Sequence, residues 1–247
     1  MDDLIFTPSS GLRYLSNRMT PDHLFMRSLY TLKERLGAYR EKEFVRFLME
    51  PMLKAPVVCE EKKFVYMKIA RTGGTSIYRD YFQERLGLQT LNNRDDLFRL
   101  MLWIEGLTRK KWDGYFKFAF VRNPWDRMVS LYFYFTKLGR ISCPFRDFVI
   151  NLSHYVRTVP ECALHAMPSS CQTHLDGKPC VDLIGRYENL QDDFNAVCGR
   201  LGTPEMELPV SAATDHDNYT AYFDDETRGI VAELYSEDIR LFGYEFK

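Results

Sequence analysis

The order of apolar and polar residues predicts a strand followed by a helix over residues 64–86. In Phe64–Ile69, large apolar side chains alternate with smaller or polar ones up to a Gly-Gly pair, as in a buried strand that ends at a turn. In Thr75–Leu86 the apolar residues recur at helical spacing, and Gly87 follows where a helix would end.

The same succession of elements occurs twice more. Tyr115–Val121 predicts a second buried strand, and Pro124 is placed to begin a helix through about Leu138, since proline is favoured in the first helical turn. Val181–Leu190 predicts a third strand, followed by a helix over about Gln191–Leu201. Strands separated by helices indicate an α/β fold with a central parallel sheet.

The periodicity of Pro21–Leu53 predicts two further helices broken near Gly37. We therefore expect residues 1–60 to form an N-terminal helical extension that packs on a domain of residues 61–247. The stretch Ser142–Pro179 contains several prolines and predicts loops with a helical turn or two.

Two more helices are predicted outside these segments. Asn93 is a suitable N-cap for a helix through Leu107, because Asp95 and Asp96 would lie in its first turn. The stretch Asp224–Phe246 predicts one last amphipathic helix.

Composition narrows the class of protein. The chain has 247 residues, is 45% hydrophobic and carries a net charge of −1, which suits one large globular domain and excludes a basic nucleic-acid-binding protein. It has no apolar run of the ~20 residues that span a bilayer. Its first ten residues are acidic rather than basic, unlike a signal peptide, so we expect a cytoplasmic protein without a transmembrane segment.

The six cysteines contain no C-x-x-C pair. Cys162, Cys171 and Cys180 are nine residues apart, which is not the spacing of zinc ligands, and no acidic cluster predicts a metal site. We expect reduced thiols, and a disulfide among these three only if the chain is a trimmed piece of an exported protein.

The turn after the first strand has the chemistry of an anion site. Arg71 carries a positive charge, Gly73 and Gly74 allow close approach of the backbone, and a helix N-terminus follows with unpaired N–H groups. Three hydroxyl residues flank the glycines: Thr72, Thr75 and Ser76. The turn is not a Walker A loop, because Thr75 stands where the lysine would be.

A second group of residues follows the second strand. Arg122 lies at its carboxyl end, where parallel α/β sheets bind ligands, and Ser130 lies eight residues further, about two helical turns into the next helix. A buried strand end seldom carries an arginine without an anionic partner. We expect Asp126 and Arg127 to form a solvent-facing pair.

These two segments resemble the sulfotransferases that use 3′-phosphoadenosine 5′-phosphosulfate (PAPS), particularly the membrane-type carbohydrate branch and its bacterial relatives. The stretch "KIARTGGTS" is similar to that family's 5′-phosphosulfate loop, and "FVRNPWDRMVSLY" to its 3′-phosphate motif. "DLIGRYENL" and the carboxyl-terminal segment from Tyr222 also match, so the likeness covers Phe64–Lys247.

The resemblance implies one P-loop-like α/β domain with a parallel sheet of about five strands. It assigns the 5′-phosphosulfate to Arg71, Thr72, Gly73, Gly74, Thr75 and Ser76. It assigns the 3′-phosphate to Arg122 and Ser130, and places Tyr187 or its neighbours near the adenine. The implied activity is transfer of a sulfuryl group to a hydroxyl of an acceptor, most simply a carbohydrate.

Two departures from the family pattern bear on catalysis. The family's loop lysine is Arg71 here, and Lys68 is an alternative cation for its role. The histidine that relatives carry between the two motifs is missing from "LGLQTLNNRDDLF". The candidates for the general base are Glu84, Asp95, His154, His165 and His174, of which we favour His165 for its place in the proline-rich stretch.

Two other functions stay open at this point. A P-loop kinase acting on ATP would require a Walker lysine and a magnesium-binding aspartate after a second strand, and the sequence shows neither. A catalytically inactive relative that binds a nucleotide or glycan is the other alternative. The identity of the acceptor and the oligomeric state do not follow from the sequence.

Overall fold

A mixed sheet of four strands forms the centre of the protein. The computed structural model describes residues 57–88, 114–159, 162, 165–175, 177–209 and 218–247. The strands in these ranges are β1 (Val57–Cys59), β2 (Phe64–Met67), β3 (Phe116–Val121), β4 (His174–Leu175), β5 (Lys178–Pro179) and β6 (Leu183–Arg186). The central sheet has the order β1-β2-β3-β6, and β4 pairs with β5 in a separate two-stranded hairpin.

The three strands predicted from the sequence are parallel neighbours. β2 pairs with β3 and β3 with β6 in parallel, so the carboxyl ends of all three lie at one edge of the sheet. β1 adds an antiparallel strand next to β2. It places residues 57–59 in the sheet rather than in the helical extension predicted for residues 1–60. The described part of the chain thus has four strands in this sheet, against about five expected.

The helices connect and cover these strands. They are α1 (Ser76–Arg85), α2 (Pro124–Lys137), α3 (Phe145–Ile150), α4 (Leu152–Thr158), α5 (Ser170–Thr173), α6 (Leu190–Leu201), α7 (Asp225–Leu234) and α8 (Ser236–Phe242). Single 3₁₀ turns occupy Tyr187–Asn189 and Tyr219–Tyr222. Helix α1 is wound as a π-helix, and just past its end the Leu86 N–H donates to the Tyr81 carbonyl five residues back.

Aromatic side chains fill the space between the sheet and helices α1 and α6. Because side chains alternate across a strand, Tyr66 and Phe118 project to the same face, where their rings stack with centroids 4.8 Å apart. Phe82 of α1 and Phe194 of α6 pack in the same cluster. The opposite face of the sheet carries small residues such as Ala119, which pack with residues of α8 and its flanks.

A second core lies between helices α2, α3, α4 and α7. It contains Trp125 and Phe135 of α2, Phe148 of α3 and Val231 of α7, all buried. This core anchors α2, which begins directly after β3 and carries the residues of the second predicted motif.

Two further sequence predictions are corrected by the structure. The third strand covers only Leu183–Arg186, and it is less buried than expected because it has a neighbour on one side only among the described strands. The last helix is two helices that meet at Tyr235, whose buried hydroxyl donates to the Ala166 carbonyl.

The remaining predictions concern helices outside the described residues, the state of the cysteines, membrane spans and metal sites. The helices predicted over Pro21–Leu53 and Asn93–Leu107 lie outside the described residues. All six cysteines are described, and each is a free thiol. No described helix is long and apolar enough to cross a membrane, and no cluster of potential metal ligands occurs in the same ranges.

Candidate functional site

The two predicted motifs meet at the carboxyl edge of the sheet. β2 and β3 are parallel and adjacent, so the loop that follows β2 and the start of α2 leave the sheet side by side. Arg122 Nη1 donates to the Arg71 carbonyl oxygen at 3.2 Å, and Arg71 Nε donates to Ser130 Oγ at 3.0 Å. The structure therefore brings Arg71, Arg122 and Ser130 together, although 59 residues separate Arg71 from Ser130 in the chain.

The loop between β2 and α1 is held in an unusual backbone conformation. Arg71 has a φ of +66° and Gly73 a φ of +79°, in the left-handed region that residues other than glycine rarely adopt. A Cβ atom at position 73 would lie 2.8 Å from Leu190 Cδ2, at the start of α6. Glycine suits position 73 because of this backbone angle, and a side chain there would also force the Leu190 side chain to shift.

The hydroxyl groups of the loop are partly used by the protein itself. Buried Thr72 donates from Oγ1 to the Ile69 carbonyl at 2.9 Å, and Ser76 donates from Oγ to the Pro209 carbonyl at 2.6 Å. These hydroxyls shape the loop and seat α1. Thr75 is half-buried at the N-cap of α1, where its side chain makes no capping hydrogen bond.

Lys68, the alternative to Arg71, packs against the loop from the strand side. A Cβ atom at position 74 would lie 3.0 Å from Lys68 Cγ, so Gly74 allows the lysine stem to cross the loop. Lys68 Nζ lies 4.8 Å from the centre of the Tyr78 ring, in a cation–π contact with α1.

Arg122 is buried and has an anionic partner within the protein. Its Nε and Nη2 donate to the two carboxylate oxygens of Asp126 at 2.7 and 2.9 Å, and its guanidinium lies 4.0 Å from the centre of the Tyr187 ring. Asp126 is four residues further along the chain, in the first turn of α2. Sequence reasoning missed this pairing, although the i, i+4 spacing at a helix start was available as a signal.

Arg71 has a different environment. Besides Ser130 it contacts the ring of Tyr134, whose centre is 4.9 Å from the guanidinium carbon, and none of the described carboxylates lies within ion-pair distance of it. Burial, and after it the like charge of Arg122, lower the pKa of the Arg71 guanidinium below its usual value. Among the described residues, the charge of Arg71 is therefore not neutralised by a carboxylate.

Arg127 is a structural residue, not the solvent-facing residue that the sequence predicted. It is 2% exposed and donates four hydrogen bonds, to the carbonyls of Ala70, His165 and Met167 and to Ser169 Oγ. Asp238, also buried, lies 4.0 Å from it and accepts hydrogen bonds from the N–H groups of residues 169 and 170. The expectation failed because helix periodicity does not reveal a second layer packed on the polar side of α2.

His165 lies close to this edge of the sheet. Its ring is 9% exposed and packs against Tyr134 and Phe135 at centroid distances of 5.1 and 5.5 Å. The guanidinium of Arg71 packs against the same Tyr134 ring, so one aromatic ring separates the two predicted catalytic residues.

The other candidate bases lie in different surroundings. Glu84 is exposed near the carboxyl end of α1 and lies 3.7 Å from Arg79. His154 is exposed on α4, against Tyr155. The Nδ1 atom of His174 shares a hydrogen bond with the Thr173 hydroxyl, and burial lowers the pKa of this histidine. The fifth candidate, Asp95, lies outside the described residues.

Comparison with known proteins shows which family the chain belongs to. An uncharacterized protein of Archaeoglobus fulgidus is 36% identical over 113 residues, which is 45% of this chain and 88% of that protein. A solved sulfotransferase from Alicyclobacillus acidocaldarius is 15% identical with a TM-score of 0.36, covering 73% of this chain and 87% of that one. The model of the sulfotransferase family matches residues 56–245, which include every element of the central sheet. The chain therefore belongs to the sulfotransferase family.

Proposed function

We propose that this protein transfers the sulfuryl group of PAPS to a hydroxyl of an acceptor, with a carbohydrate as the acceptor class. The observation that carries the proposal is the convergence of Arg71 and Arg122 at the carboxyl edge of β2 and β3. Two buried or half-buried guanidinium groups repel each other unless an anion lies between or beside them. Asp126 neutralises one of them, which leaves a net positive site suited to an anionic ligand.

The donor has two anionic ends, and the site offers a cation for each. In the proposal the 5′-phosphosulfate binds at the loop of residues 71–76, where the N-terminus of α1 adds its dipole. Thr72 and Ser76 act there through their backbone N–H groups, because their hydroxyls donate to protein carbonyls. The 3′-phosphate binds to Arg122 and Ser130.

The chemistry is an in-line displacement at sulfur. The acceptor oxygen forms a bond to sulfur while the bond from sulfur to the 5′-phosphate oxygen breaks, and 3′-phosphoadenosine 5′-phosphate (PAP) leaves with the electron pair. Arg71 and the helix dipole stabilise the negative charge that develops on that oxygen. The acceptor proton passes to a general base.

His165 is the base that we propose. Of the four candidates that the structure describes, it is the one whose contacts reach the loop, through the shared ring of Tyr134. Its ring packs between Tyr134 and Phe135, which places it next to the aromatic ring that also contacts the Arg71 guanidinium. A His165→Gln variant should bind PAP normally and lose most of the transfer rate.

Two measurements test the proposal. PAP should raise the melting temperature of the protein, whereas ATP with magnesium should not, because ATP lacks a 3′-phosphate for Arg122. The reverse preference would favour a kinase. Transfer of ³⁵S from labelled PAPS to a panel of oligosaccharides and hydroxylated metabolites then tests activity, and PAP binding without any transfer would identify an inactive relative.

A further inference from the structure

Arg122 uses only some of its N–H donors for hydrogen bonds within the protein. An arginine has five N–H donors, and the hydrogen bonds to Asp126 and to the Arg71 carbonyl occupy three of those of Arg122. One N–H on Nη1 and one on Nη2 remain. One face of the guanidinium is covered by the Tyr187 ring at 4.0 Å, and the side chain is 7% exposed, so the fork has little room to rotate.

Asp126 is the residue that fixes this orientation. Its two oxygens bind the edge formed by Nε and Nη2, which is the edge that a free arginine would offer to a phosphate. The carboxylate lies in the first turn of α2, where the helix dipole stabilises negative charge. It is therefore well placed to hold the guanidinium in one position.

We propose that Asp126 is a positioning and specificity residue for the 3′-phosphate of the donor. By occupying the Nε and Nη2 edge, its carboxylate fixes where the two remaining N–H groups of Arg122 lie. Binding at Arg122 then depends on matching those two hydrogen bonds rather than on charge alone. The inference rests on the proposed function, because it takes the 3′-phosphate as the ligand of Arg122.

The test compares two nucleotides that differ only at the 3′ position. Isothermal titration calorimetry measures the Kd of PAP and of adenosine 5′-phosphate for the full chain and for Asp126→Asn, which keeps the side-chain shape and removes the charge. We expect the variant to lose about tenfold or more of the preference for PAP, the size of one charge-assisted hydrogen bond. Its affinity for adenosine 5′-phosphate should stay within about twofold of the parent, which also shows that the variant is folded.

A matched control is available on α8. Arg240 donates from Nε and Nη2 to Glu237 three residues earlier, in the same forked arrangement but on an exposed arginine. Glu237→Gln removes the same kind of partner away from the site and should leave both affinities unchanged.

The outcomes separate the two proposals. Equal affinity of the parent protein for PAP and adenosine 5′-phosphate would refute the 3′-phosphate site itself. A strong preference in the parent that persists in Asp126→Asn would overturn the role of Asp126 alone. Tighter binding of PAP by the variant would also overturn it, since the carboxylate would then be a competitor of the phosphate.

Discussion

Arg71 lies in the loop that follows β2, and Arg127 of α2 donates to the carbonyl of Ala70 in the same loop, yet the two arginines differ in the partners that satisfy their donors. Arg127 bonds to four oxygens of the protein and has Asp238 nearby, and it is almost fully buried. Arg71 has one hydroxyl and one aromatic ring, and its backbone has a positive φ. Both belong to the segments that resemble the sulfotransferase motifs, yet only Arg127 has most of its N–H donors bonded to oxygens of the protein.

This difference separates a residue that holds the fold from the residue to which we assign an anion in the proposed function. Burying a guanidinium costs free energy unless its donors are satisfied, and Arg127 is satisfied by carbonyls of the loop and of residues 165–169. It links the carbonyl that precedes Arg71 to the carbonyl of His165, so it ties the backbones of both proposed catalytic residues. Arg71 keeps a lowered pKa and an unneutralised charge, the features expected where a phosphosulfate binds.

We expect the largest effect from replacing Arg127, the arginine whose donors are bonded within the protein. Arg127→Leu leaves the buried Asp238 without its cation and four oxygens without a donor, so we expect the free energy of unfolding to fall by about 3–5 kcal/mol. Urea unfolding followed by circular dichroism measures it. Arg240→Leu, which removes an exposed arginine, should cost under about 1 kcal/mol. Equal losses in the two variants would contradict the structural role of Arg127.

Removal of the Arg71 side chain should lower the activity rather than the stability. We expect Arg71→Ala to lower kcat for PAPS-dependent transfer by about 10²–10³-fold, the usual cost of one group that stabilises the transition state. The free energy of unfolding should change by less than about 1 kcal/mol. Arg71→Lys restores the family's cation and should recover much of the rate. A normal rate in Arg71→Ala would shift the catalytic role to Lys68.

The loop glycine tests how tightly the site is held against α6. Gly73→Ala adds a Cβ atom 2.8 Å from Leu190 at a φ of +79°, and we expect a loss of about 1–3 kcal/mol in unfolding free energy together with weaker PAP binding. Gly139→Ala is the matched control, because Gly139 has a φ of +66° but no atom within 4 Å of the added Cβ. The difference between the two variants isolates the contact with Leu190.

The smallest effect concerns the backbone strain at Arg71. Glycine accepts a φ of +66° without cost, so Arg71→Gly should be more stable than Arg71→Ala by about 1 kcal/mol. Both variants should lack transfer activity to the same degree, because both lack the guanidinium. Equal thermal stability of the two variants would show that the loop relaxes when the arginine side chain is removed.

Hydrophobic periodicity was sufficient for the strands and helices that are regular. β3 and α2 lie where the sequence predicts them, since Tyr115–Val121 and the proline at position 124 are strong local signals. The break at Tyr235 was missed, because the helical spacing of apolar residues continues across it from α7 into α8. β1 was missed for a different reason, since its three residues become a strand only by pairing with β2.

The sequence alone was enough to identify the family motifs, the glycines of the loop and the arginine that follows β3, because each of these is recognised from residue types at short spacing along the chain. Which charges are neutralised was decided only when the chain folded. Asp126 pairs with Arg122, the 165–169 segment surrounds Arg127, and Arg71 is left with Ser130 and Tyr134. Ion pairing and burial depend on distances between segments far apart in sequence, and those distances are properties of the tertiary structure.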